Sequence, residues 1–192
     1  FSNANYKNYV AKWDGSSWSE LGAGGPPFVS HYFGILCLAL GNNGSIFAAG
    51  DLRDSNNNSA VKKWNGTSWI SLPTSDVQTF NGIGGIYSVT GDAAGNLFAG
   101  GAFQNRWGWQ SVYKWDGARW NFLSSDTDET FNNTIFTLAC DPSGNVYAGG
   151  FFSNQLFNGN QFVAKWDGIS WSELGGSMTS TFNSAIDKII SD

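Results

Sequence analysis

Aromatic rings flanked by amides are the residues of this chain best suited to holding a ligand. Tyr6 and Tyr9 lie in SNANYKNY (2–9), Trp107 and Trp109 in QNRWGWQS (104–111), and Phe157 in SNQLFNGNQ (153–161). A flat ring beside Asn or Gln offers an apolar face to a sugar and directed hydrogen bonds to its hydroxyls. The same rings could instead cover the edge of a neighbouring element, and both readings stay open at this point.

The other chemistry-bearing residues are fewer. SDTDET (125–130) gathers Asp126, Asp128 and Glu129 into a weak Ca²⁺ candidate, although a solvated acidic loop explains such a run better. His31 is the single histidine. With no His partner and no spaced cysteines it cannot anchor a transition-metal site, and no G-x-S-x-G element accompanies it, so a turn or loop position is expected. Most aspartates (Asp14, Asp92, Asp116, Asp141, Asp167) recur at equivalent turn positions. That recurrence argues against a carboxylate pair for glycoside hydrolysis. The sequence therefore points to no catalytic residues, no metal and no cofactor. Cys37 and Cys140 fall at offset positions of equivalent strands, which predicts buried free thiols and no disulfide.

These residues are carried by a repeat. KWDGSSW (12–18) returns as KWNGTSW (63–69), KWDGARW (114–120) and KWDGISW (165–171), a spacing of 51 residues each time. Val10, Val61, Val112 and Val163 keep the same period, as do Leu21, Leu72, Leu123 and Leu174. A second element precedes the later motifs, as in IYSVTGDAAGNLFAGGAF (86–103) and IFTLACDPSGNVYAGGFF (135–152). A fixed period near 50 marks a stacked-repeat architecture. Within one period an apolar β-branched run, a Gly-rich turn, a second run, a variable loop, a third strand, a DG or NG turn and a fourth strand follow in order. This predicts an all-β fold, a β-propeller of four-stranded antiparallel blades with about four blades represented. The DG and NG pairs are read as tight hairpin turns that need positive φ. The tryptophans on either side are expected to fill the gap between blades, and the lysine before each motif to lay its stem on that apolar wall.

The V-x-K-W-[DN]-G-x-x-W and D-x-x-G-N-[LV]-[FY]-A-G-G elements resemble bacterial secreted β-propeller repeat proteins, of the seven-bladed-propeller-repeat or kelch-like kind. The resemblance covers nearly the whole chain and implies architecture, since propellers carry many unrelated activities. It also implies a secreted, extracellular or cell-surface location. A likeness to the Asp-box of sialidase propellers extends only to a shared turn.

Aligning the ends on the repeat divides the chain into outer strands of a first blade (1–22), complete blades at 23–73, 74–124 and 125–175, and the first strand of a next blade (176–192). The expectation is a single propeller domain or a segment of a longer one. Further blades, or other copies of the protein, would then be its partners, with glycans as a further candidate.

Composition narrows the function classes. The chain has 192 residues, 25 of them Gly, 10 Trp and 15 Phe, and only 13% are charged. This is too apolar for a disordered chain. The net charge of -5 provides no electrostatic footprint for nucleic acid. No apolar run nears the roughly 18 residues of a membrane helix, so membrane insertion is not expected. The reading that results is a non-catalytic extracellular module serving as scaffold, adhesin part or filament component. A carbohydrate-binding propeller is the alternative, and a propeller enzyme ranks last. Asn43, Asn57, Asn65 and Asn132 lie in N-x-[ST] sequons, relevant only in a eukaryotic secretory host.

Overall fold

The computed structural model describes residues 8–22, 28, 30–41, 44–74, 80, 84–104, 108–123, 131–153, 163–174 and 182–191. Among these residues all regular structure is β, and the strands group by repeat. β1 (Ala11–Trp13) and β2 (Trp18–Glu20) form a two-stranded sheet. Three four-stranded antiparallel blades follow in simple meander order. The second blade comprises β3 (Ser30–Leu40), β4 (Ile46–Leu52), β5 (Lys62–Trp64) and β6 (Trp69–Ser71). The third comprises β7 (Ile86–Gly91), β8 (Leu97–Gly101), β9 (Tyr113–Trp115) and β10 (Trp120–Phe122). The fourth comprises β11 (Ile135–Cys140), β12 (Val146–Gly150), β13 (Ala164–Trp166) and β14 (Trp171–Glu173). These are propeller blades, as the repeat predicts.

The core lies between blades. One cluster joins Val61, Ala49 and Leu72 of the second blade to Ile86, Leu97, Phe103 and Trp120 of the third. An equivalent cluster joins Phe98, Val112 and Leu123 to Ile135, Val146 and Phe152. Small residues at mid-strand allow the sheets to approach this closely. A Cβ on Gly100 would stand 2.8 Å from the Ile135 Cγ2 methyl of the next blade, and one on Gly149 only 2.7 Å from that of Ile186. Ile186 thus occupies against the fourth blade the place that Ile135 occupies against the third, so residues 186–191 run where a further inner strand would begin.

A side-chain rung crosses every such boundary. The backbone N–H of Leu138 donates to Ser88 Oγ (2.9 Å) and that of Ile189 to Thr137 Oγ1 (3.0 Å). In the same slot of the second blade, the Val89 N–H donates to the sulfur of Cys37. A backbone donor that would otherwise be buried and unsatisfied is thereby paired, which decides why the slot takes a hydroxyl or thiol.

The repeated tryptophans perform two tasks. The two rings of each motif are direct cross-strand neighbours, with centroids 5.4 Å apart for Trp115 and Trp120 and 5.5 Å for Trp13 and Trp18. The second ring also reaches the preceding blade. Trp69 Nε1 donates to the Leu21 carbonyl (3.0 Å) and Trp171 Nε1 to that of Leu123 (2.6 Å). Trp115 and Trp120 are buried, whereas Trp64 and Trp69 are half-buried, less than a gap-filling role predicts. Trp166 and Trp171 are half-buried as well, beside a complete third blade.

One expectation needs correcting. His31 belongs to β3, not to a turn or loop, because β3 extends past bulges near Ile35 to pair Ser30 with Leu52. The DG motif closes a hairpin with positive φ, as the sequence predicts. Its glycine is the left-handed residue (φ 106° at Gly15, 100° at Gly117), and four residues link the strands. The aspartate holds this longer loop from its side chain: Asp116 Oδ1 accepts the N–H groups of Ala118 and Arg119, each at 2.9 Å.

Candidate functional site

Antiparallel meander order places the turn between first and second strands beside the turn between third and fourth. The third strands begin at the opposite end, where residues 53–61 join β4 to β5, separated from the turns by about 20 Å of strand. At the turn end two boundaries between blades, first to second and second to third, open into clefts with related walls.

The cleft between the second and third blades has a volume of about 160 Å³. Lys63 and Phe47 line one side; Asp92, Asn96 and Trp115 line the other. Phe47 and Lys63 are cross-strand partners, and the ammonium sits 5.8 Å from the ring centroid, a cation–π distance. The Asp92 carboxylate accepts from the Asn96 backbone N–H (2.9 Å) and from Asn96 Nδ2 (2.7 Å), fixing the amide at the rim. The lining thus joins an ammonium donor, a carboxylate acceptor, an amide and two aromatic faces. The construction recurs in the next repeat. Lys114 stands 5.9 Å from the Phe98 ring centroid, and Asp141 accepts from Asn145 at 2.9 Å (N–H) and 2.6 Å (Nδ2). There the Tyr147 hydroxyl also donates to Asp141 (3.0 Å).

The cleft between the first and second blades is larger, about 560 Å³, and is lined by Lys12 and Leu21 on one side and Ser45, Lys63, Trp64, Asn65 and Ile70 on the other, so Lys63 lines both clefts. Lys12, Ser45 and Trp64 correspond in the repeat to Lys63, Asn96 and Trp115. Asn65 keeps the turn role of its aspartate counterparts, its Oδ1 accepting the N–H groups of Thr67 (2.9 Å) and Ser68 (2.8 Å).

The electrostatics of the turns are uniform. Backbone N–H groups of Arg119 and Ala118 hold the Asp116 carboxyl at about 2, and those of Ser16 and Ser17 hold Asp14 well below the ordinary carboxylate range. The Asn145 amide and backbone lower Asp141, whose hydrogen bond in turn raises the Tyr147 hydroxyl. Cys37 and Cys140 are free and half-buried, a shallower placement than expected. Burial pushes both thiols up to about 12, which leaves them protonated and poorly nucleophilic at neutral pH.

Of the ring residues singled out in the sequence, Tyr9 and Trp109 are half-buried, each in contact with neighbours, at the end of the blades opposite the clefts. Tyr6, Trp107 and Phe157 lie outside the described residues, as do Asp126, Asp128 and Glu129. Among the described residues no three His, Cys, Asp or Glu side chains gather as a metal-binding group. The cleft residues Phe47, Lys63, Asn96 and Trp115 escape a sequence reading as a site because each belongs to the repeat. Their signal is that recurrence, once two adjacent blades are set side by side.

No protein-family model matches the chain, and no curated protein does. Among solved structures, the chain is similar to a fucose lectin from Kordia zhangzhouensis in complex with methyl-fucoside. The likeness covers 73% of this chain and 99% of that one, at 20% identity and a TM-score of 0.48.

Proposed function

We propose that this chain is a non-catalytic, extracellular carbohydrate-binding β-propeller module whose sites are the turn-end clefts between blades. The observation that carries the reading is the cleft holding Lys63, Asp92, Asn96 and Trp115 in one wall-to-wall set, of which the lysine and tryptophan positions recur as Lys12 and Trp64 in the cleft before it. A sugar ring presents an apolar face and a rim of hydroxyls that both donate and accept. A ring, an ammonium, an amide and a carboxylate meet those needs without a reactive nucleophile. Repetition adds avidity, because weak sites fixed on a rigid frame engage one glycan-bearing surface together.

A purely structural role, as scaffold, adhesin part or filament component, is the second reading. The recurring rungs from blade to blade, and the indole bonds of Trp69 and Trp171 to the preceding blade, favour it, since they serve stacking alone. A glycan array on the purified chain separates the two. Selective binding of a saccharide class supports the lectin role, and a blank array at high protein density leaves the scaffold.

A further inference from the structure

The second blade departs from its siblings at the acidic positions of the turn end. Where the other motifs carry Asp14, Asp116 and Asp167, it carries Asn65; where the third and fourth blades carry Asp92 and Asp141, it carries Gly41. The residues lining the cleft between the first and second blades therefore include Lys12, Ser45, Asn65 and Trp64 but no carboxylate. The nearest acid in sequence, Asp14, does not line this cleft. Its oxygens accept four hydrogen bonds from Ser16 and Ser17, at 2.8–3.1 Å. The next cleft places Asp92 opposite Lys63, so its one ammonium is balanced.

We infer that the first cleft takes an acidic saccharide, a uronate or a sulfated sugar, whose anion meets Lys12 and the Asn65 amide while the ring lies against Trp64. The second cleft takes a neutral ring. This rests on the carbohydrate-binding reading and adds a division of labour between clefts. An anion entering the second cleft would meet the Asp92 carboxylate, whereas in the first the Lys12 and Lys63 ammoniums, an amide and a hydroxyl all favour it. The volumes agree, since an anionic substituent with its hydration fits about 560 Å³ more readily than about 160 Å³.

The substitutions that test this are supplied by the repeat itself. Asn65→Asp installs the residue that Asp14, Asp116 and Asp167 already show to be compatible with the turn, and Lys12→Gln removes the one ammonium this cleft does not share, since Lys63 lines both clefts. Calorimetric titrations would use methyl glucuronide, a sulfated monosaccharide and a neutral methyl glycoside, each at low and high salt. Wild-type protein should bind at least one acidic probe, with affinity falling at high salt. Each substitution should weaken that binding about tenfold or more, as loss of a charge-assisted contact implies, and leave the neutral glycoside unchanged. Binding of the neutral probe alone, or acidic binding indifferent to both substitutions, overturns the inference while the carbohydrate-binding reading stands. Binding of no saccharide overturns both.

Discussion

Replacing Trp120 by Ala and, in a separate protein, Trp18 by Ala isolates what holds the blades together. The two rings occupy the same position of the same motif and face their hairpin partners at nearly the same distance, 5.4 and 5.5 Å. Any stabilisation local to the hairpin is therefore common to both. Their burial is not, since Trp120 is 4% exposed and Trp18 is 67% exposed. Around Trp120 the ring of Phe80 packs edge-on at 4.9 Å and the third-blade core closes over it. Truncating a ring so enclosed leaves a cavity and costs about 3–5 kcal/mol. Trp120 Nε1 is buried without an acceptor, so deleting it also removes an unsatisfied donor, and the lower end, about 3 kcal/mol, is expected. Trp18 hides only about a third of its surface, on the order of 50–80 Å² of the roughly 150–250 Å² a buried aromatic contributes. At about 25 cal/mol per Å² this is at most ~2 kcal/mol, and nearer ~1 kcal/mol once residual burial in the unfolded chain is counted. Urea unfolding followed by tryptophan fluorescence measures both. Equal losses would refute the reasoning and place the contribution within the hairpin.

Other perturbations probe the remaining devices. Thr137→Val removes the hydroxyl that receives the Ile189 N–H and should cost about 1 kcal/mol, because a half-buried donor loses its acceptor; a loss below about 0.3 kcal/mol would show the rung to be dispensable. Asp51→Ala strips the partner from buried Arg53, whose Nη2 lies 2.8 Å from Asp51 Oδ1, and should cost about 3–5 kcal/mol in the same unfolding assay; a near-neutral result would mean that water solvates the arginine. Acid should weaken the fold in a definite window. The turn carboxyls, Asp116 at about 2 and Asp14, Asp141 and Asp167 also lowered, bind protons more readily unfolded than folded. Their stabilisation is present above about pH 4 and is lost as pH falls toward about 2. A urea midpoint that stays constant or rises from pH 5 to pH 2.5 would contradict this.

The blades were legible because a strand repeat writes itself in period-two apolar positions and in turn residues, and Val61, Leu72 and Trp64 mark their counterparts without ambiguity. The partners of the second tryptophans were not. Phe28, Phe80 and Phe131 pack against Trp69, Trp120 and Trp171 at 4.9–5.3 Å, yet they come from the connections between blades, where no motif surrounds them. The clefts were hidden for a different reason. Asp92 reads as a turn residue, Lys63 as a solvated stem and Trp115 as packing, and each reading holds. Only the approach of two sheets brings Lys63 of one repeat to Asp92 of the next, a juxtaposition no single motif contains. The positive φ of the DG turn was legible from its glycine, whereas the aspartate's side-chain oxygen, which accepts the backbone N–H groups that follow, was not.

Titration of ¹⁵N-labelled protein with methyl glycosides, neutral and acidic, tests the central claim most directly, with indole N–H resonances assigned by Trp→Phe substitution. Binding in the clefts predicts saturable shifts of the Trp64 and Trp115 indoles, while that of Trp109, at the opposite end, and that of Trp107 stay in place. Shifts confined to Trp107 and Trp109, or none with any glycoside, would contradict it.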